Sequence, residues 1–333
     1  MIEYMRIDKE ELDLGTEWDK TFPRSDRVDH SKVTFVNHFG ITLAADIYVP
    51  KDRAGKLPAI AVCGPFGAVK EQSSGLYAQE MASRGFLTIA FDPSYTGESG
   101  GMPRYMQSPD INTEDFMAAV DFLSNNERVD PDRIGIIGIC GWGGFALNTA
   151  SIDTRIKATA VMTMYDLSRI AGNGYFDSQD KKEDRMAARR NAMAQRTKDF
   201  AENSYPTEGG LPSPAQVPEG APEFLKQYVD YYKTERGYHP RSVGGNMGWV
   251  AGSNTSLMNT RLLTYAGEIE SAVLMVHGEK AHSRYMGEDA FKLLKGDNKE
   301  LIIIPGAVHC DLYDNYDYIP FEKLQSFFGE YLG

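Results

Sequence analysis

The apolar positions of this chain come in short bursts separated by glycine-rich turns. After a polar lead, KVTFVN (residues 32–37) and ITLAADIYVP (41–50) alternate around a turn at His38, Phe39 and Gly40, which predicts an antiparallel pair of strands. LPAIAVCGPFG (57–67) is continuously apolar and ends in a Gly/Pro turn, the pattern of a strand covered on both faces. LYAQEMASRG (76–85) has helical spacing and a terminal glycine, and FLTIAFDPSYTGESGG (86–101) repeats the sequence of buried strand and glycine loop. NTEDFMAAVDFLSNN (112–126) predicts a helix capped by Asn112 or Thr113, with Phe116, Val120 and Leu123 on one face.

RIGIIGICGWGGFALNTAS (133–151) runs from a β-branched strand through a glycine turn straight into a helix. IKATAVMTMYD (156–166), AVLMVHGE (272–279) and LIIIPGAVH (301–309) are three more buried strands, and GEDAFKLLKG (287–296) and FEKLQSFFGEYL (321–332) are helices. This alternation implies an α/β architecture: a mostly parallel sheet with crossover helices, made mixed by its antiparallel start. In such sheets the loops at the C-terminal strand ends build the site. Residues 169–262 break the rhythm with a charged helical stretch, a Pro/Gly-rich portion and a Tyr-rich helix, so they are read as a mostly helical lid. The core is then formed by residues 1–168 and 263–333.

Composition narrows the function classes. With 333 residues, 42% of them hydrophobic, the chain can bury a sizeable core without disulfides or metals. Thirty-five basic against 47 acidic side chains give a net charge of −12, which repels a phosphate backbone and argues against a nucleic-acid partner. Cys63, Cys140 and Cys310 form no CxxC pair, as expected of reduced thiols. The start, MIEYMRIDKEELDLG, lacks a cationic segment followed by an apolar one, and no window approaches 18 apolar residues. A cytoplasmic protein without a membrane partner is the expectation, and a homodimer is expected only from the frequency of dimers among soluble enzymes.

Chemistry concentrates at GICGWGG (138–144), between a strand and a helix. A sharp turn there presents Cys140 above the sheet, and the backbone N–H that follows it points toward a developing oxyanion. The competing reading is a buried cysteine beside packing glycines. On this turn and its neighbours, residues 32–332 resemble the α/β-hydrolase superfamily. The elbow is similar to the cysteine elbow of dienelactone hydrolases, whereas Trp142 followed by glycine resembles the Xaa-Pro peptidase and cocaine-esterase-like branch, in which serine is usual. GPFGAVKEQSSGLYAQEMASRGF, FDPSYTGESGG and GEKAHSRYM resemble a bacterial group allied to dienelactone hydrolases, with fungal relatives named polyketide transferases.

The resemblance implies an α/β-hydrolase fold and the chain order nucleophile, acid, histidine. His309 then serves as acid and base, with His282 in reserve. Where the superfamily carries HGxxD this chain has Ala281, which leaves Asp166 as first choice for the acid, Glu279 as second and Asp289 after them. The resemblance also assigns the oxyanion donors to the N–H groups of Gly141 and Phe66, and backbone organisation to Asp92 and Ser99. Trp142, Tyr95 and Gly67 are expected to line the substrate pocket.

No cofactor is expected. No GK[ST] follows the glycines, and IGIIGICGWGG does not fit GxGxxG. No metal is expected either, since His277 and His282 stand five apart without a supporting carboxylate pattern. The function these residues imply is hydrolysis of an ester, lactone or thioester of a small organic acyl substrate through an acyl-cysteine. Acyl transfer from the same intermediate, or a non-catalytic binding protein on a hydrolase fold, are the alternatives.

Overall fold

The structure is a computed structural model and describes residues 6–333; the first five residues of the N-terminal segment lie outside it. The N-terminal half builds β1 (Val28–Val36), β2 (Thr42–Pro50), β3 (Leu57–Cys63), α1 (Ser73–Ala82), β4 (Leu87–Phe91), α2 (Pro109–Ser124), β5 (Val129–Ile139), α3 (Gly141–Ala150) and β6 (Ile156–Met162). After β6 come α4 (Leu167–Asn173), α5 (Lys182–Glu202), β7 (Thr207–Gly209), α6 (Glu223–Lys233), β8 (Gly248–Val250) and α7 (Thr255–Met258). The chain closes with β9 (Ala272–Gly278), α8 (Arg284–Leu293), β10 (Lys299–Ile304), α9 (Asp311–Asp314) and α10 (Phe321–Leu332).

Eight strands form one sheet in the order β1-β2-β4-β3-β5-β6-β9-β10. β2 pairs antiparallel with β1 and β4, and every other pairing is parallel. Helices cover both faces, which is why the central strands read as unbroken apolar runs. Period-two alternation then sorts each strand between two cores. Ile137 and Ile139 of β5 join Tyr77, Met81 and Phe328 on one side, while Ile134 and Ile136 join Phe116, Leu123 and Trp142 on the other.

One boundary differs from the sequence reading. Helix α2 is capped by Ser108, whose Oγ accepts from Ile111 N, and not by Asn112 or Thr113. Pro109 follows at the first helical position, where its missing N–H costs nothing and its fixed φ suits the helix. The cap therefore lies four or five residues earlier than expected, and Thr113 Oγ1 donates back to Pro109 O inside the helix.

The segment between β6 and β9 carries four helices and also a two-stranded ribbon, β7 with β8, that periodicity did not reveal. Three-residue strands are too short to show alternation. The segment is tied to the core at several points: Gly67 O accepts from Gly244 N and Ser242 Oγ, both at 2.9 Å, and Arg236 makes a forked pair with Asp314 at 2.9 and 2.6 Å. Among the described residues no helix is long and apolar enough to cross a membrane.

Candidate active site

Cys140 sits at the sharp bend between β5 and α3 with φ 57° and ψ −125°, a strained conformation for a side-chain-bearing residue. The bend needs small neighbours: a Cβ on Gly138 would lie 2.3 Å from Trp142 O. The thiol is only 6% exposed. The backbone N–H groups of Phe66 and Gly141 and the hydroxyls of Tyr313 and Tyr228 are directed at it. Burial nevertheless dominates and pushes the thiol up to about 11, so it rests protonated.

Phe66 follows β3, and its ring stacks on Trp249 with centroids 4.3 Å apart. With Gly67 pinned to Gly244 and Ser242, this turn is braced from the inserted segment. The two N–H groups thus converge on one point from two elements, the turn after β3 and the first turn of α3.

His309 lies between β10 and α9 and is fully buried. Its Nδ1 is 2.9 Å from Thr163 Oγ1 and 2.7 Å from Ser283 Oγ, and its Nε2 is 3.0 Å from Tyr313 Oη. Burial, with neighbouring His282 and His277, holds its pKa well below the usual imidazole value.

The three carboxylates expected as the acid are engaged elsewhere. Asp166 caps α4, accepting from Arg169 N at 3.1 Å and Ser168 Oγ at 2.5 Å. Glu279 accepts from Gly306 N at 2.8 Å on the surface, and Asp289 pairs with Arg169 and Lys292. The physical reason lies at the end of β6. Thr163, at φ 44°, already turns its hydroxyl to the imidazole, and three residues later the chain has entered a helix that needs its own cap. Thr163, Ser283 and Tyr313 were missed in the sequence. The available signal was the four-residue spacing of His309 and Tyr313 across a helix start, which puts both side chains on one side.

Around His309 stands an aromatic wall. His282 Nε2 is hydrogen-bonded to Tyr165 Oη and lies 3.4 Å from Tyr228 Oη, while its ring stacks on Phe224 at 4.4 Å. Burial pushes His282 down to about 4 and His277 down to about 3.

One expected pocket residue is placed in the core. Trp142 is fully buried beneath the elbow among Phe91, Phe116 and Phe145, because the side chain two residues after Cys140 enters α3 on its sheet-facing side. Tyr95 packs its ring on Gly101 in the loop after β4. A crevice of about 820 Å³ lies between α4, α5, α7 and α8, lined by Arg169, Arg185, Arg189 and Arg261, and neither Cys140 nor His309 opens onto it.

Beside the turn that carries Phe66, the loops after β3 and β4 are joined by buried charges. Lys70 Nζ sits among Glu71 Oε1 at 2.6 Å, Asp92 Oδ2 at 2.9 Å and Glu98 Oε2 at 2.5 Å. The three carboxylates could have held a cation, but the ammonium fills their centre. Asp92 also accepts from Lys70 N and Glu98 N, both at 2.8 Å, and Ser99 Oγ bridges Ala44 N to Asp92 O.

The buried histidines give the fold a pH signature. His277, His282 and His309 stay neutral when folded at pH values where the unfolded chain protonates them. The unfolded state then binds more protons, and stability is lost as pH falls below about 6.5. Asp115, pushed up to about 6 by burial, opposes this between about pH 4 and 6; Asp92, shifted up by burial, acts in the same direction as Asp115, and His239, shifted down by burial, in the same direction as the other histidines. Two net protons correspond to at most about 2–3 kcal/mol per pH unit. Thermal melts are expected to fall steadily from pH 6.5 to 5, and a melting temperature that is flat or rises on acidification would contradict this assignment.

A mostly parallel eight-stranded sheet, a strained elbow after β5 and a histidine after the last strand define an α/β hydrolase. The chain belongs to the X-Pro dipeptidyl-peptidase (S15) family, whose model matches residues 40–309. It is 55% identical over 324 residues to the uncharacterized protein PA2218 of Pseudomonas aeruginosa, covering 97% of this chain and 86% of that one. The crystal structure of hypothetical protein PA2218 superposes with a TM-score of 0.94 at 53% identity, covering 97% of this chain and all of that one. The uncharacterized protein YcjY of Escherichia coli is 34% identical over 91% of this chain and 99% of its own length. A partial likeness, 33% over 128 residues, links 38% of this chain to 39% of the thiohydrolase aneE of Aspergillus aculeatus. The fold is shared with Est1E of Butyrivibrio proteoclasticus at a TM-score of 0.60 and 17% identity, over 90% of this chain and 98% of that one.

Proposed function

We propose that this protein hydrolyses an ester, lactone or thioester of a small organic acid through an acyl-Cys140 intermediate, with His309 as acid and base. The observation that carries the reading is the convergence of the Phe66 and Gly141 N–H groups on the Cys140 thiol, the arrangement that would hold an oxyanion formed beside it. Membership of a hydrolase family and likeness to a thiohydrolase support acyl chemistry. Thiolate is a good leaving group, which favours activated esters and thioesters over the peptide bonds suggested by the family's name. Residues 169–262 act in this reading as a lid: α6 brings the Tyr228 hydroxyl to the buried Cys140 thiol, so substrate entry requires that helix to move. The cover also favours a second reading, transfer of the acyl group to an alcohol or amine, because water has restricted access. The dienelactone type of specificity is one case of the lactone reading.

The test is intact-mass spectrometry after brief mixing with p-nitrophenyl acetate, with nitrophenol release followed in parallel and Cys140→Ala as the control. An acetyl adduct mapped to Cys140, with release lost in the variant, is the expected result. Equal labelling and release in both proteins would refute the nucleophile and favour a binding protein on a hydrolase fold. Addition of alcohols or amines separates the two acyl readings: product partition to the acceptor identifies transfer, and unchanged acid release identifies hydrolysis.

A further inference from the structure

The expected triad lacks its acid, and the groups that surround the imidazole show what replaces it. The end of β6 contributes Thr163 and Tyr165, and the residues just before α8 contribute His282 and Ser283. Helix α6 contributes Tyr228, α9 contributes Tyr313, and β9 contributes His277. Among these neighbours, and the adjacent Cys140 and Cys310, none is a carboxylate. At Nδ1 stand two hydroxyls; at Nε2 stands a phenol, and that phenol also faces the thiol.

We propose that Tyr313 is a catalytic residue that carries the proton between Cys140 and His309, and that Ser283 and Thr163 position the imidazole in place of a carboxylate. This rests on the acyl-Cys140 reading. At rest Nδ1–H donates to one of the two hydroxyls, Nε2 accepts from Tyr313 O–H, and Tyr313 Oη accepts from the thiol. The tautomer follows from Tyr313 acting as donor to Nε2.

On attack the sulfur electron pair forms the S–C bond while the thiol proton passes to Tyr313 and the Tyr313 proton passes to Nε2. The carbonyl π pair moves to oxygen, held by the N–H groups of Phe66 and Gly141. Collapse breaks the bond to the leaving group, which takes its proton back along the same path. In deacylation water forms the new C–O bond and gives its proton through Tyr313 to His309. The C–S bond then breaks, and sulfur recovers the proton. Electrons and protons balance without an outside reagent.

Hydroxyls orient an imidazole without stabilising its cation as a carboxylate does. Burial, unopposed by a carboxylate, keeps His309 neutral through the acid range, so the activity of the wild type is expected to show no acidic limb between pH 5 and 7.5. A tyrosine relay, unlike a structural tyrosine, also changes proton movement when its oxygen alone is removed.

The experiment measures kcat and KM for p-nitrophenyl acetate against pH, together with the rate of Cys140 alkylation by iodoacetamide. The proteins compared are the wild type, Tyr313→Phe, Ser283→Ala, Ser283→Asp and Cys140→Ala, with melting temperature as the fold check and exposed Tyr265→Phe as the control. Tyr313→Phe is expected to lose about 10²-fold in kcat with KM within twofold, the scale of one proton-transfer group. It should also alkylate several-fold more slowly at pH 9, because the thiolate loses a donor. Ser283→Asp is expected to introduce an acidic limb that the wild type lacks. Tyr313→Phe within twofold of wild type in both assays, or an acidic limb near pH 6.5 in the wild type, would overturn the relay while leaving acyl-Cys140 standing. Should Cys140→Ala retain adduct and release, or the wild type show neither adduct nor alkylation, the nucleophile assignment itself falls and the relay with it. An acidic limb near pH 6.5 in the wild type overturns the relay even if a variant fails to fold.

Discussion

Lys70→Met is expected to lower the free energy of unfolding by about 3–5 kcal/mol, the usual effect of removing one member of a buried charge cluster. Methionine matches the length of the stem, so little packing is lost, and the penalty comes from the carboxylates left behind. Lys70 is fully buried among Glu71, Asp92 and Glu98. Lys32, at 2.7 Å from Glu98, and Arg241, at 2.9 Å from Glu71 and 2.6 Å from Asp19, compensate only part of that charge. The ammonium is held well above its usual pKa and Glu71 is pulled down to about 2, with Lys70 the largest of the favourable influences on it.

The loss is a large part of the 5–15 kcal/mol that a domain has in total. Urea unfolding of the wild type and variant measures it. The variant also carries a diagnostic sign. Its uncompensated carboxylates have raised folded pKa values, so their protonation favours the folded state and the gap to wild type narrows as pH falls. A loss below about 1 kcal/mol, or a gap that does not change with pH, would show that the cluster does not depend on Lys70.

Gly141→Ala is expected to reduce kcat by about 10²–10³-fold, the effect of losing one oxyanion donor. The new Cβ would lie 2.7 Å from Phe66 Cβ and 2.8 Å from Leu167 Cδ1. Leu167 can rotate, but Phe66 Cβ is attached to the backbone that carries the second donor, so relief separates the two N–H groups. Overpacking adds a stability cost of about 1–3 kcal/mol. Gly329→Ala is the control: it lies in α10 with nothing within 4 Å of the added methyl, and alanine there favours the helix by up to about 1 kcal/mol. Burst amplitude and kcat for p-nitrophenyl acetate distinguish the outcomes. A Gly141→Ala protein that melts lower but turns over at the wild-type rate would remove the Phe66 N–H from the mechanism.

The core was legible in the sequence wherever one physical demand dominated. Continuous β-branched runs such as RIGIIGI identify strands buried on both faces, and glycine on both sides of Cys140 marks a bend that excludes larger side chains. Boundaries set by competing local bonds were less legible. The Ser108-Pro109 pair starts α2 ahead of the apolar periodicity, and the β7–β8 ribbon is too short to show a period.

The elbow and the position of His309 after the last strand could be located from strand ends, because a parallel sheet delivers its strand ends to one edge; the assignment of the Gly141 and Phe66 N–H groups as oxyanion donors came from the family resemblance. The partners of the imidazole could not be so located. Thr163, Ser283 and Tyr313 are ordinary residues in sequence, and they become a set only when β6, α8 and α9 meet around one buried ring. Asp166 was as well placed along the chain as Thr163, yet its carboxylate caps the helix that begins there. The sequence alone therefore determined the strands, the bend and the thiol, since these follow from local sterics and hydrophobic period. Which groups hold the histidine, how the charge around Lys70 is neutralised and which face Trp142 takes were decided by the tertiary structure, because each depends on side chains brought together across long separations.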